Sequence, residues 1–277
     1  MKKKAWTFLI VIVVIFIILG IIYFSLVSSK TVTAQLNVES GNVLVNDLSV
    51  SGHVFLDEGD IVETSGNGRA TIILYETLVV NLEPDTKINI NDLRKSHPQL
   101  TQEKGESWNT LAKIVGIEEY TIKSGNSVAS IRGTSFIITS EKIAVLEGEV
   151  GYEIESQNYL VSKGRAVEKI DGKINERELN DEEIRKALEV KKRTMKQLKV
   201  LRERELEKHP KIVNTIKSKY DLTDEDIRNA FNDADEEILD IEEIERKSPV
   251  NIESVRKVSE ITKEIIKIKQ EILATSR

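Results

Sequence analysis

The chain has 277 residues, 31% of them charged and 40% hydrophobic, with a formal net charge of -6. That length allows one large domain or two modest ones, and the acidic balance excludes the basic field of a nucleic-acid binder. There is no cysteine, so disulfides, thiolate catalysis and cysteine-ligated zinc are excluded together, and only His53, His97 and His209 remain for histidine chemistry.

Residues 5–27, AWTFLIVIVVIFIILGIIYFSLV, carry no charge. As a helix rising 1.5 Å per residue they would reach roughly 35 Å, enough to cross a bilayer. A cleaved signal peptide usually has a shorter apolar region of roughly 7–15 residues ended by a small-x-small site, so residues 1–30 are read as a cytoplasmic stub and an uncleaved transmembrane anchor. Three lysines precede the run and Lys30 alone follows it closely. This bias places the N-terminus in the cytoplasm and the bulk of the chain outside, with Trp6, Tyr23 and Phe24 as interfacial aromatics.

Residues 31–172 read as a β domain. Short runs such as AQLNV, RATIIL, TLVVNL, KINI, KIAVL and EVGYEI recur between turn clusters such as ESG, DEGD, SGNG and SKG. Ala70, Ile72 and Leu74 alternate onto one face, as do Leu78, Val80 and Leu82, and Val150, Tyr152 and Ile154. Many short strands without intervening helices predict an antiparallel sandwich, jelly roll or related roll. Residues 93–120, polar in their first half, read as a long loop over the sheet surface.

Residues 173–277 read as a helical region. Asn180 with Asp181, Glu182 and Glu183 has the form of a capped, acidic helix start, and that helix runs to about Lys208 before Pro210. A short helix is expected around Ile212, Val213 and Ile216, and Thr223 with Asp226 opens another through Ile227, Phe231, Ile238, Ile241 and Ile244. SPVN breaks it. In the last helix Ile261, Ile265, Ile268 and Ile272 step by 4, 3 and 4, the spacing of a packed seam. Two readings stay open: a small bundle with solvated outer faces, or a coiled-coil surface for a protein partner along residues 180–277, including self-association.

Catalytic and metal motifs are weak throughout. No G-x-S-x-G turn is present, SGNGRA lacks the G-K-[ST] ending of a phosphate loop, and DLTDEDIRNAFNDADEEI lacks the glycine and ligand spacing of a calcium loop. LDEGD reads as a polar hairpin turn. No enzyme activity, cofactor or metal is expected.

The ordered set LDEGDIVET (56–64), GNGRATIIL (66–74), LVVNLEPDTKINI (78–90), GESW (105–108), IRGTSFII (131–138), AVLEGEV (144–150) and LVSKG (160–164) resembles the FecR domain family. The resemblance covers roughly residues 34–170 and is most specific at R-G-T-x-F; its signature positions are Gly59, Asp60, Gly68, Arg132, Gly133, Thr134, Phe136 and Gly148. It implies an antiparallel β-sandwich or roll outside the cytoplasm, non-enzymatic and often engaged in transmembrane signalling, and it supplies no catalytic residue. Relatives that regulate sigma factors are similar in carrying a cytoplasmic grip domain; MKKK is too short for one, so direct anti-sigma action is not expected. The function expected is binding, sensing or signalling at the cell surface, with a structural envelope role as the alternative.

Within SVASIRGTSFIIT, residues 127–139, strict alternation would place Val128, Arg132, Phe136 and Ile138 on one face. Arg132 is then expected inward, held by strand-end carbonyls and by Asp60 or, second, Glu147; Gly133 would admit a neighbouring backbone and Thr134 would back-bond locally. A fold-locking pair and a site for an anionic ligand are both compatible with that placement.

Overall fold

The computed structural model describes residues 34–275 except 112–116, 118, 132, 209, 211–212, 215–216, 219–220, 240 and 242–252. The expected anchor, Arg132, and Ile212, Ile216 and Ile244 of the expected helices lie outside the described residues.

Two nine-stranded sheets form the body. Sheet A runs, in spatial order, β18 (Lys173–Glu178), β17 (Arg165–Ile170), β14 (Lys142–Glu147), β13 (Ser135–Ile138), β10 (Ser107–Leu111), β7 (Leu78–Leu82), β6 (Arg69–Leu74), β1 (Ala34–Ser40) and β4 (His53–Phe55). Sheet B runs β16 (Gln157–Ser162), β15 (Glu149–Ile154), β12 (Ser127–Ile131), β11 (Tyr120–Ser124), β9 (Gln99–Lys104), β8 (Lys87–Asp92), β5 (Ile61–Thr64), β2 (Val43–Val45) and β3 (Leu48–Val50). The chain lays down one or two strands in one sheet, crosses to the other, and so winds progressively along the sandwich. Pairing is antiparallel except between β9 and β11.

The main core lies between the sheets, and the expected alternating sets all reach it: Ala70, Ile72, Leu74; Leu78, Val80, Leu82; Val150, Tyr152, Ile154. The two sheets differ on their outer faces. Sheet B alternates buried and exposed along β15, whereas β6, β7 and β13 of sheet A are buried on nearly every residue. The reason is a third layer: α1 (Asp181–Glu207) and α3 (Glu253–Thr275) pack on each other and cover sheet A. Leu198, Leu201, Ile261, Ile265 and Ile268 pack with Ile73 and Val79, while Ala187 and Val190 pack with Trp108, Ile137, Ala144 and Ala166. Continuous apolar runs such as TIIL and LVV are thus strands buried on both faces.

Three sequence expectations change on this frame. Residues 127–139 are not one strand: β12, which ends at Ile131, belongs to sheet B and β13, which begins at Ser135, belongs to sheet A. Strict alternation therefore breaks there, and Val128 is half-buried while Phe136 is fully buried. Residues 93–120 are not one long loop, since they contain β9 and β10. Their polar composition hid them because Gln102, Ser107 and Asn109 occupy fully buried positions, paid for by hydrogen bonds: Gln102 Nε2 donates to the Gly105 and Ile138 carbonyls (2.9 and 3.1 Å), and Tyr120 OH donates to Asn109 Oδ1 (2.9 Å). Finally, the boundary expected at residues 172–173 falls within the β17–β18 hairpin, and residues 34–277 cluster as one compact unit. The Ile261–Ile272 seam is spent on the chain's own sheet and on α1.

Polar clamps fix the helices in place. Asn180 and Glu183 form a capping box at the start of α1, as the sequence predicts, and Thr223 and Asp226 form one at the start of α2 (Asp224–Asp235). Further along α1, Gln197 accepts from Asn37 (2.8 Å), Thr194 accepts from Asn81 (3.1 Å), and Arg193 donates to Glu39 (2.8 Å) and to Glu83.

Candidate functional site

The signature positions do not form one cluster. Gly59 and Asp60 occupy the crossing from β4 to β5, where the Gly59 amide donates to the Ile90 carbonyl (2.8 Å) and the Asp60 carboxylate accepts from Asn46 Nδ2 (2.8 Å) and the Asp57 amide (2.7 Å). Gly68 lies at the opposite rim, in the crossing from β5 to β6, where a Cβ would come within 2.3 Å of the Asn42 carbonyl oxygen. Phe136 is in the core between the sheets.

Gly133, Thr134 and Gly148 do come together. Two sheet crossings run side by side, β12 to β13 and β14 to β15. Gly148 has φ +75° and faces Thr134 so closely that a Cβ there would lie 2.6 Å from Thr134 Cγ2. The second crossing is needed because Glu147 ends β14 in sheet A and Glu149 begins β15 in sheet B; one residue turns the chain, and a left-handed glycine allows it. The Thr134 carbonyl accepts from the Leu111 amide (2.9 Å), but its buried hydroxyl finds no partner among the described residues, in place of the expected local back-bond. The carboxylates nominated for Arg132 have other partners: Asp60 those above, and Glu147 the ammonium of Lys267 (2.5 Å).

Beside this double crossing, where α1 and α3 meet the end of sheet A, lies a cavity of about 290 Å³. Its floor is apolar, from Leu146, Leu179, Ile184, Ala187 and Leu188, and its rim is charged, from Glu147, Lys163, Lys191 and Glu271. Lys191 pairs with Glu271 at 2.7 Å, bridging α1 to α3. Burial pushes the Glu264 carboxyl on α3 above its ordinary range; Lys267 opposes that shift, while Glu147 and Glu271 add to it. Burial would also lower the Lys267 ammonium, but Glu147, Glu264 and Glu271 hold it above its ordinary value. The lining contains no histidine and no hydroxyl beside a base. What the site offers is apolar contact within a charged rim, suited to holding a small group or anchoring side chain.

Sequence reasoning placed Gly148 and Gly133 at signature positions but missed the helical half of the site. The helix start at Asn180 was legible; that the helix turns Ile184 and Leu188 toward Leu146 and Gly164 was not, because nothing in the local pattern says which sheet face a helix covers.

The family model described as FecR protein matches residues 60–151, from the Asp60 crossing through Gly148 into β15. No curated protein matches the chain. Two crystal structures, at 2.50 and 1.65 Å, of a protein from Parabacteroides distasonis assigned provisionally as an anti-sigma factor are similar at 14% identity and a TM-score of 0.39. The similarity covers 43% of this chain and 60% of that one.

Proposed function

We propose that the protein is a non-enzymatic, single-pass membrane protein whose extracytoplasmic FecR-like body binds, senses or signals at the cell surface. The observation that carries this reading is the FecR family match over residues 60–151, which includes the Gly133–Thr134–Gly148 double crossing. Among the described residues no helix is long and apolar enough to cross a membrane; the span proposed is residues 5–27, which lie outside them. A protein partner is met by the outward faces of residues 180–277, because the Ile261–Ile272 seam is already covered by sheet A and α1.

The test is topology. With an epitope at the C-terminus, protease added to intact spheroplasts should remove the epitope while sparing a cytoplasmic control. Survival of the epitope until lysis would overturn the reading. Cross-linking from the same membranes then identifies what residues 180–277 touch.

A further inference from the structure

The two rims of the sandwich differ in chemistry. Ala34, where the described chain begins, sits at one rim: β1 and β4 are antiparallel with Gln35 opposite Phe55, and the Leu56 amide donates to the Ala34 carbonyl (3.1 Å). The β2–β3 turn at Asn46–Asp47 is at this same rim, tied by the Asn46 amide to the Ile61 carbonyl (2.9 Å). Two large apolar side chains stand out into solvent there, Leu48 at 71% exposure and Phe55 at 64%. At the far rim, the connections at residues 40–42, 65–68, 83–86, 125–126 and 155–156 consist of serine, glycine, asparagine, glutamate, aspartate, threonine and proline alone. Ile170, 50% exposed, ends β17 at that far rim.

An exposed phenylalanine and leucine on edge strands are a liability unless something covers them. The chain itself limits the choice. Six residues, 28–33, separate the apolar run from Ala34, and an extended chain gains at most about 3.3–3.6 Å per residue, so the Ala34 rim stays within roughly 25 Å of the hydrocarbon edge.

We infer that the rim bearing Leu48 and Phe55 rests on the lipid surface, with these two side chains inserted at the level of the headgroups. The inference rests on the reading of residues 5–27 as a membrane span. It also specifies the lipid. Asp47, Asp57 and Glu58 are exposed beside the two apolar side chains. Apolar insertion thus drives the contact with no help from anionic headgroups, and a zwitterionic surface suffices.

The absence of cysteine makes the test clean. The full chain is prepared as Leu48→Cys, Phe55→Cys and Ile170→Cys, each labelled with an environment-sensitive fluorophore and reconstituted into phosphatidylcholine vesicles carrying a spin-labelled phosphatidylcholine. All three replaced side chains are exposed, so the fold is retained, which circular dichroism verifies. The labels at positions 48 and 55 should emit at shorter wavelength and be quenched by the spin label at least about threefold more than the label at position 170. Equal, water-like emission at all three positions in protein that floats with the vesicles would overturn the lipid contact and leave the span intact. Protein that fails to float would remove the span, and this inference with it.

Discussion

The junction between β18 and α1 turns on one carboxylate, and replacing it gives a measurable result. Glu183 is 4% exposed and accepts from Arg177 Nη1 and Nη2 (2.8 and 2.9 Å), from Lys142 Nζ (3.0 Å) and from the Asn180 amide (3.0 Å). Burial alone would raise its pKa; the Arg177 guanidinium first, then the Asn180 amide and Lys142, outweigh burial and hold the carboxyl at about 2 instead of 4.5. At about 1.4 kcal/mol per pKa unit this shift corresponds to roughly 3 kcal/mol. Arg177 and Lys142 keep 29% and 23% of their side chains in solvent, and screening there trims the net contribution to about 1–2 kcal/mol. Because the folded pKa is depressed, the stabilisation is fully present above pH 4.5 and is lost as pH falls from there toward about 2. Glu183→Gln keeps an acceptor for the Asn180 amide and removes the charge. Urea unfolding of the full chain in mild detergent should show the variant less stable by about 1–2 kcal/mol at pH 7, with the gap closing as the pH is lowered through 4.5. A gap that is absent at pH 7, or that stays constant down to pH 3, would refute the assignment of this stability to the ionised carboxylate.

Other substitutions probe other parts of the structure. Gly148→Ala places a Cβ against Thr134 at a backbone angle alanine resists, and should cost about 1–3 kcal/mol; adding Thr134→Ser, which removes the clashing methyl, should recover part of that in a double-mutant cycle. Arg202 is 3% exposed and binds Asp235 through both terminal nitrogens (2.6 and 3.0 Å), with the Phe231 ring 4.3 Å from its central carbon. Arg202→Ala should cost about 3 kcal/mol, read as faster amide exchange in α2 than in sheet A; Lys199, 2.9 Å from Asp235, limits the loss, and uniform exchange would argue against a local clamp. Ile265→Ala, at a fully buried position, should cost about 2–5 kcal/mol and lower sheet and helix signals in one transition. Two separate transitions would show that the helices stand independently of the sheet.

Local pattern was enough to specify a good deal of this protein. Period-two alternation in residues 70–74, 78–82 and 150–154 fixed which side chains face the main core, because successive side chains of a strand point to opposite faces of its sheet. Asn180 with Glu183 and Thr223 with Asp226 marked helix starts, since the free amides of a first turn need acceptors at just those offsets. Tertiary structure decided the rest. Whether Gly133 interrupts one strand or joins strands in two sheets depends on partners that are distant in sequence. Burial of Gln102 and Asn109 rests on partners distant in sequence, the Ile138 carbonyl that accepts from the Gln102 amide and the Tyr120 hydroxyl that donates to Asn109, so their polarity misled at the level of sequence. The isoleucine seam of α3 was visible, and its destination was not: an apolar stripe records that a face must leave water and carries no label for the surface that covers it.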